Sequence, residues 1–104
     1  MATNNVDFSN TAAVIDIIGG KWDIEIISAL FNGTKRFNGL KLLLKGVQPK
    51  VLADRLQHLE QYGIIYHKKY PIVPPRVDYS LTESLKPILT QLNEWGRAYR
   101  RSTL

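Results

Sequence analysis

The segment Val47-Gln48-Pro49-Lys50-Val51-Leu52-Ala53-Asp54-Arg55-Leu56-Gln57-His58-Leu59-Glu60-Gln61-Tyr62-Gly63-Ile64-Ile65 has the punctuation of a helix that ends in a strand. Pro49 suits the first turn of a helix, where its missing N–H costs nothing. Leu52, Leu56 and Leu59 recur at i, i+4 and i+7, one buried stripe. Gly63 stands after Tyr62, where a left-handed helix stop is expected. Lys50, Asp54 and Gln57 fall opposite the leucines. A short amphipathic helix offering Lys, Gln and Asp from a basic chain suits reading of a nucleic-acid groove. The segment therefore reads as the second helix of a helix-turn-helix running into a β-strand.

Length and composition narrow the alternatives. A chain of 104 residues predicts one domain, able to bury roughly two-thirds of its unfolded surface. The absence of cysteine excludes disulfides, thiolate metal sites and thiol sensing within the chain. With His58 and His67 as the sole histidines, a metal site would need mostly carboxylates, and no metal or cofactor is expected. No apolar run approaches the roughly 20 residues of a membrane span. Met1-Ala2-Thr3-Asn4-Asn5 lacks the basic-then-apolar pattern of a secretory signal, so a cytoplasmic location without a membrane partner is expected.

The net charge of +5 is unevenly spread. Residues 1–20 carry −2, residues 21–76 carry +6, and residues 77–104 carry +1. The basic excess coincides with the candidate helix-turn-helix, where a local positive field attracts polyanions.

Around that segment the chain reads as follows. Residues 1–9 are polar and expected to fray. Asn10 or Thr11 caps a short apolar helix, Thr11 to Ile18, ended by Gly19-Gly20. Lys21 to Phe31 is a second helix with Trp22, Ile26, Ile27, Leu30 and Phe31 on its apolar side. Lys35-Arg36-Phe37 is a very short strand. Asn38 to Leu44 is a third helix with Leu40, Leu43 and Leu44 inward. Ile64 to Tyr70 is a strand, and Pro71-Ile72-Val73-Pro74-Pro75 is a stiff loop that cannot supply a ladder. Arg76 to Leu81 alternates Val77, Tyr79 and Leu81 against Arg76, Asp78 and Ser80, the return strand of a hairpin. A long helix from about Leu85 to Arg101 closes the chain. Ser84 is its expected cap, with Pro87 in the first turn. This order predicts a mainly α fold with a small antiparallel hairpin (α+β), a winged helix-turn-helix whose wing is the hairpin.

The same residues carry a family pattern. Ile18-Gly19-Gly20-Lys21-Trp22, Arg36-Phe37-Asn38-Gly39-Leu40, Gln48-Pro49-Lys50-Val51-Leu52 with Arg55-Leu56, Leu59-Glu60, Gly63-Ile64-Ile65, Tyr70-Pro71 and Val73 to Thr82 together resemble the HxlR-type bacterial transcription regulators. The match runs from about Ile15 to Trp95-Gly96. The motifs are weak singly and specific in their order and spacing. The resemblance implies a dimeric winged-helix DNA binder related in fold to MarR-type regulators. Two departures stand out. Many members carry a cysteine ahead of the Gly-Gly-Lys-Trp motif, and this chain has none, so a thiol switch does not carry over. The stretch Glu83-Ser84-Leu85-Lys86-Pro87 is shorter than the family pattern before the final helix.

Candidate DNA contacts follow from position. Lys50 stands at the N-terminal end of the helix that in such folds points into the major groove. Gln48 and Gln57 can donate and accept at base edges. Ala53 suits a thymine methyl, and Val51 lies beside it. Asp54 either accepts from a cytosine amine or pairs with a neighbouring Lys or Arg. Arg55, at the margin of the leucine stripe, reaches a phosphate or ties the helix to Glu60 or another acid. His58 is a flank residue of the same helix. Arg76, on a wing stiffened by Pro74-Pro75, suits a minor groove or flanking phosphate, or else packs across Tyr70 or pairs with Asp78. Lys45, Lys68 and Lys69 add charge at the turn and the wing.

Leu85, Ile88, Leu89, Leu92, Trp95 and Tyr99 form a stripe on the last helix longer than a small domain needs. With Val14, Ile17 and Ile18 of the first helix, they predict a homodimer presenting two reading helices to a pseudo-palindromic duplex. The expected division is an arm and dimer helix over 1–20, a DNA-binding core with wing over 21–81, and a C-terminal dimer helix over 82–104. Trp22, Trp95, Phe8 and Tyr99 could line a pocket for an unidentified small-molecule effector, and core packing explains them as well. No phosphate-cradling Gly motif, Cys nucleophile or Ser–His–acid set is evident, so no enzyme is expected and no catalytic residue is assigned. The rival reading is a winged-helix protein-interaction module without DNA binding.

Overall fold

The structure is a computed structural model that describes residues 5–103, with the side chains of residues 5–100. The order is α1 (Ser9–Ile18), α2 (Asp23–Phe31), β1 (Lys35–Arg36), α3 (Phe37–Leu43), α4 (Pro49–Gln61), β2 (Ile65–Tyr70), β3 (Arg76–Leu81), a 3-10 turn (Glu83–Leu85) and α5 (Lys86–Thr103). Of the expected frayed segment 1–9, residues 1–4 lie outside the described residues. Residues 5–8 have no regular structure, and α1 begins at Ser9, two residues before the expected start.

α4 follows its local signals closely. Gln48 is extended at the N-cap with Pro49 in the first turn. At the other end Gly63 takes φ +74, its N–H donates to the Glu60 carbonyl, and the Ile64 N–H donates to the Leu59 carbonyl. This is a Schellman stop, with its accompanying apolar contact supplied by buried Leu59 and Ile64. The stop turns the chain directly into β2.

The sheet has three antiparallel strands in the order β1-β3-β2, not two. Lys35 and Arg36 pair with Tyr79 and Asp78, and Ile65 through Tyr70 pair with Leu81 through Arg76. Phe37 is not part of β1; it opens α3. β3 has the expected ends, yet its alternation is broken because Asp78 is buried. The cause is the cationic side chains gathered around it, described below.

The core is built from Ile26, Ile27 and Leu30 of α2, Leu40 of α3, the three leucines of α4, and Ile65 and Leu81 of the sheet. Leu44, Val47 and Ile64 close it from the connections. Leu43 points away from this core and is more than half exposed, contrary to the expected inward row. α3 ends at Leu43, and the non-helical backbone of Leu44 turns that side chain inward instead. Ser84 lies within the 3-10 turn and makes no side-chain cap, while Pro87 does sit in the first turn of α5. The turn lets α5 start directly behind the sheet despite the short connection.

The radius of gyration is 16.5 Å, with extents of 63 × 36 × 22 Å. A compact chain of 100 residues has a radius of gyration of about 13 Å. The protomer is therefore elongated.

Leu56 is 2% exposed at the middle of the α4 stripe. Leu56→Ala is expected to remove about 2–5 kcal/mol of stability, read as a lower urea midpoint at constant m-value. A change within ~0.5 kcal/mol, the range of ordinary surface substitutions, would place Leu56 outside the core.

Candidate nucleic-acid interface

α4 presents one face to solvent and is tied along both flanks. The free face carries Lys50, Ala53, Asp54 and Gln57, all exposed, with Gln48 just before it and Val51 partly exposed beside it. Lys50 and Asp54 form an i,i+4 ion pair at 3.4 Å. An exposed pair of this kind adds little stability, so either partner is available for exchange with a ligand.

One flank is fixed to the corner between α1 and α2. Arg55 donates from Nε to Asp23 Oδ1 at 2.8 Å and from Nη2 to Asp23 Oδ2 at 2.7 Å. Asp23 is 0% exposed, and its Oδ2 also accepts the Gly20 N–H at 3.0 Å. The hydrogen bonds to Asp23 hold the Arg55 guanidinium above its ordinary pKa, against the opposing effect of burial. Arg55 is thus committed to an acid of the protein, and that acid is Asp23 and not Glu60. Of the two contacts weighed for Arg55, the one to an acid is made, with about 27% of its side chain left exposed. His58 is likewise turned inward, its Nε2–H donating to the Ile17 carbonyl at 2.7 Å, with its ring edge-on to Tyr62.

The other flank meets the sheet. His67 of β2 donates from Nδ1 to both carboxylate oxygens of Glu60, at 2.7 and 2.6 Å. Gln57, Glu60 and Gln61 of α4 face His67 and Tyr79 across an open cleft of about 500 Å³.

On the wing, Asp78 collects cations. Arg36 and Lys68 stand opposite it in register from the two neighbouring strands. Arg76, two residues earlier, forks onto it with Nε at 3.0 Å and Nη2 at 2.9 Å. Arg36 approaches at 3.9 Å. These hydrogen bonds from Arg76, followed by the nearby positive charges, hold the Asp78 carboxyl below the usual carboxylate range. Reciprocally, Asp78 raises the Arg76 guanidinium. Arg76 also lies over the Tyr70 ring at 4.5 Å, and Lys68 lies 5.1 Å from the same ring. Both intramolecular contacts weighed for Arg76 are therefore made, and they hold a partly exposed guanidinium in one place at the base of the loop. Lys45, Lys68 and Lys69 are exposed.

The residues expected to form a dimer face divide into two groups. Ile17, Ile18, Leu85 and Leu89 pack against the protomer's own core. Val14, Ile88, Leu92, Trp95 and Tyr99 remain substantially exposed, Trp95 at 69%, with Trp95 and Tyr99 stacked at 5.8 Å. Ile15 of α1 and Ile24 of α2 are exposed as well, outside the expected set. A groove of about 540 Å³ runs between α2 and α5, lined by Ile24, Ile27, Phe31, Leu89 and Leu92; Trp22, Trp95, Phe8 and Tyr99 are not among the residues that line it.

Asp23 is a functional residue that the sequence reading leaves out, whereas Asp78 is there as a partner of Arg76 but not as a buried residue. Asp23 had a readable signal, since Asp23, Ile26, Ile27 and Leu30 fall at i, i+3, i+4 and i+7. A carboxylate on a core stripe requires a partner. Among the described residues, no helix is long and apolar enough to cross a membrane, and no group of three or more His, Cys, Asp or Glu side chains is placed to hold a metal ion.

Comparison with known proteins bears on the family and the fold. The family model for the HxlR-like helix-turn-helix matches residues 17–103. The uncharacterized HTH-type transcriptional regulator YkvN of Bacillus subtilis is 44% identical over 87 residues, spanning 81% of this chain and 74% of the relative. A crystal structure of a MarR-family transcriptional regulator from Enterococcus faecalis V583 superposes with a TM-score of 0.86 at 32% identity, covering 97% of this chain and 94% of that one. The redox regulator HypR in its reduced form gives a TM-score of 0.77 at 38% identity, covering 88% and 94%. The fold is a winged helix-turn-helix, and the chain belongs to the HxlR-like helix-turn-helix family of transcriptional regulators.

Proposed function

We propose that this regulator binds duplex DNA as a homodimer, with α4 in the major groove and the β2–β3 wing on flanking DNA. The observation that carries the reading is the free face of α4. Lys50, Ala53, Asp54 and Gln57 are exposed on a helix whose other sides are all engaged. Gln48 and Val51 extend that surface at its N-terminal end. Lys50 exchanges Asp54 for a guanine edge or a phosphate, and Gln57 reads a base edge. Asp54, once released, accepts from a cytosine amine. Arg76, with Lys68 and Lys69, lies along the flanking backbone, and Lys45 sits at the turn before α4. Residues 21–81 serve DNA and the terminal helices serve association, in the cytoplasm, where the target is. Regulation by repression or by activation is equally compatible with these residues.

Association rests on Val14, Ile15, Ile88, Leu92 and Trp95, large apolar side chains that the elongated protomer does not cover. Removal of such area from water is favourable by about 25 cal/mol per Å². A twofold dimer places two copies of α4 about one DNA turn apart.

Lys50→Ala and Gln57→Ala are each expected to weaken specific binding by about 1–3 kcal/mol where the side chain contacts a base, measured by fluorescence anisotropy on promoter duplexes. Binding is expected to fall steeply with salt through counterion release. Unchanged affinity in both variants would reject the α4 surface, and salt-insensitive association would favour the protein-interaction module.

Asp78→Asn is expected to free Arg76 from its fork and weaken binding without unfolding the wing. Because the folded Asp78 pKa is lowered, the fork's contribution is present above the unfolded pKa and is lost as pH falls through the folded value. Arg76 therefore stays in place at neutral and mildly acid pH. An Asp78 carboxyl titrating at the ordinary value by NMR would contradict this.

Trp95→Asp is expected to give a folded monomer in sedimentation. A stable dimer would show that this face is not the interface.

A further inference from the structure

The contacts on the α1–α2 side of α4 are more directional than packing alone requires. Three leucines could hold α4 against the core while leaving it free to slide or turn, since apolar contact has no preferred direction. The Arg55 fork removes that freedom. It joins two planar groups through two parallel hydrogen bonds, with Asp23 completely buried and its Oδ2 also bonded to the Gly20 N–H. One helical turn further on, His58 bonds the Ile17 carbonyl in the last turn of α1. The end of α1, the connection at Gly20 and the first residue of α2 are thus all attached to one side of α4.

The corner has no slack. A Cβ on Gly20 would lie 2.5 Å from Arg55 Nη2 and 2.8 Å from Asp23 Oδ2. Trp22 enters α2 with φ +80, a left-handed conformation that a bulky residue keeps only where its surroundings impose it. A buried ion pair is a weak source of net stability compared with apolar side chains of the same volume. What the fork supplies that packing does not is a defined angle.

We propose that Asp23 is a positioning residue that sets half-site spacing: through Arg55 it locks the DNA-reading helix α4 to the end of α1, so that the two reading heads of the dimer keep one separation. The inference rests on the homodimeric, major-groove reading above. Any rotation of α4 relative to α1 would be repeated in both protomers. Half-sites about 34 Å apart, one helical turn of DNA, would then be read out of register.

The test uses duplexes selected from a random-sequence pool by the wild-type protein. Copies carry one base pair inserted or removed between the half-sites, together with an isolated half-site. Asp23→Asn keeps the shape of the side chain and weakens the fork. Arg55→Lys keeps the charge but not the planar, two-pronged geometry. Folding is followed by circular dichroism and association by sedimentation.

The expected result is a folded dimer with wild-type affinity for the isolated half-site. Its preference for the natural spacing over the one-base-pair variants should fall by about tenfold, on the scale of a single mismatched position. A folded dimer with undiminished spacing preference overturns the proposal. So does a variant that loses the same factor on every duplex, including the half-site, and so does failure of both variants to fold, which would assign the fork to stability alone. A wild-type protein that sediments as a monomer removes the dimer reading itself, a failure visible before any variant is made.

Discussion

A carboxylate without exposed surface is the most demanding group in this molecule. Ionised Asp23 is tolerable in the interior only if each oxygen is matched, because an isolated buried charge costs far more than a single contact returns. Arg55 and the Gly20 N–H supply those matches. The surrounding chain follows from that requirement. A Cβ at position 20 would collide with the fork, α2 begins at Asp23 itself, and Arg55 reaches across to it with about 27% of its side chain exposed. Arg55, which the sequence leaves open to a phosphate or to an acid of the protein, is thereby paired with Asp23, and the exposed face of α4 beside it carries Lys50, Ala53, Asp54 and Gln57.

The wing repeats the device in a shallower setting. Asp78 also forks onto an arginine, but Arg76 is partly exposed and Tyr70 offers its ring face beneath it. The buried pair at Asp23 orients a helix, whereas the one at Asp78 holds a surface guanidinium in place. The two pairs also change how the charge of the central segment is counted. Of its cations, Arg55 and Arg76 are both neutralised by acids of the chain, and Lys50 has Asp54 beside it. The outward positive field therefore comes more from lysines such as Lys41, Lys45 and Lys69 than from the arginines.

Legibility in the sequence followed the range of the interactions. Pro49, the leucine stripe and Gly63 act within a turn or two, and α4 with its Schellman stop formed where they place it. The ends of β3 were equally readable between Pro75 and Thr82. The misses depended on what lies across the fold. The short strand expected over Lys35-Arg36-Phe37 loses Phe37 because that residue opens α3, and only Lys35 and Arg36 find partners on β3. Asp78 is buried because Arg36, Arg76 and Lys68 converge on it, three cations from three strands. Leu43 is exposed because α3 stops after two turns and leaves the inward position to Leu44. Arg55 lies 32 residues from its partner, so periodicity marks each member of the pair but not their meeting.

The terminal helices show how far one stripe can serve two surfaces. On α5, Leu89 turns to the core, while Ile88, Leu92 and Trp95 at i, i+4 and i+7 turn away from it. The apolar arc is wider than one contact needs, and the part left over is contiguous along the helix rather than scattered. Single exposed apolar residues are ordinary on any protein surface, whereas a contiguous row marks a surface that something else covers. α1 reinforces the point from the other end of the chain. It has no buried residue, and its inner side chains Ile17 and Ile18 only rest against the core. A ten-residue helix is marginal in water by itself. Within the protomer it is held by Ile17 and Ile18 against the core and by the His58 bond to its last turn, and the proposed dimer would cover the apolar side chains that these contacts leave exposed.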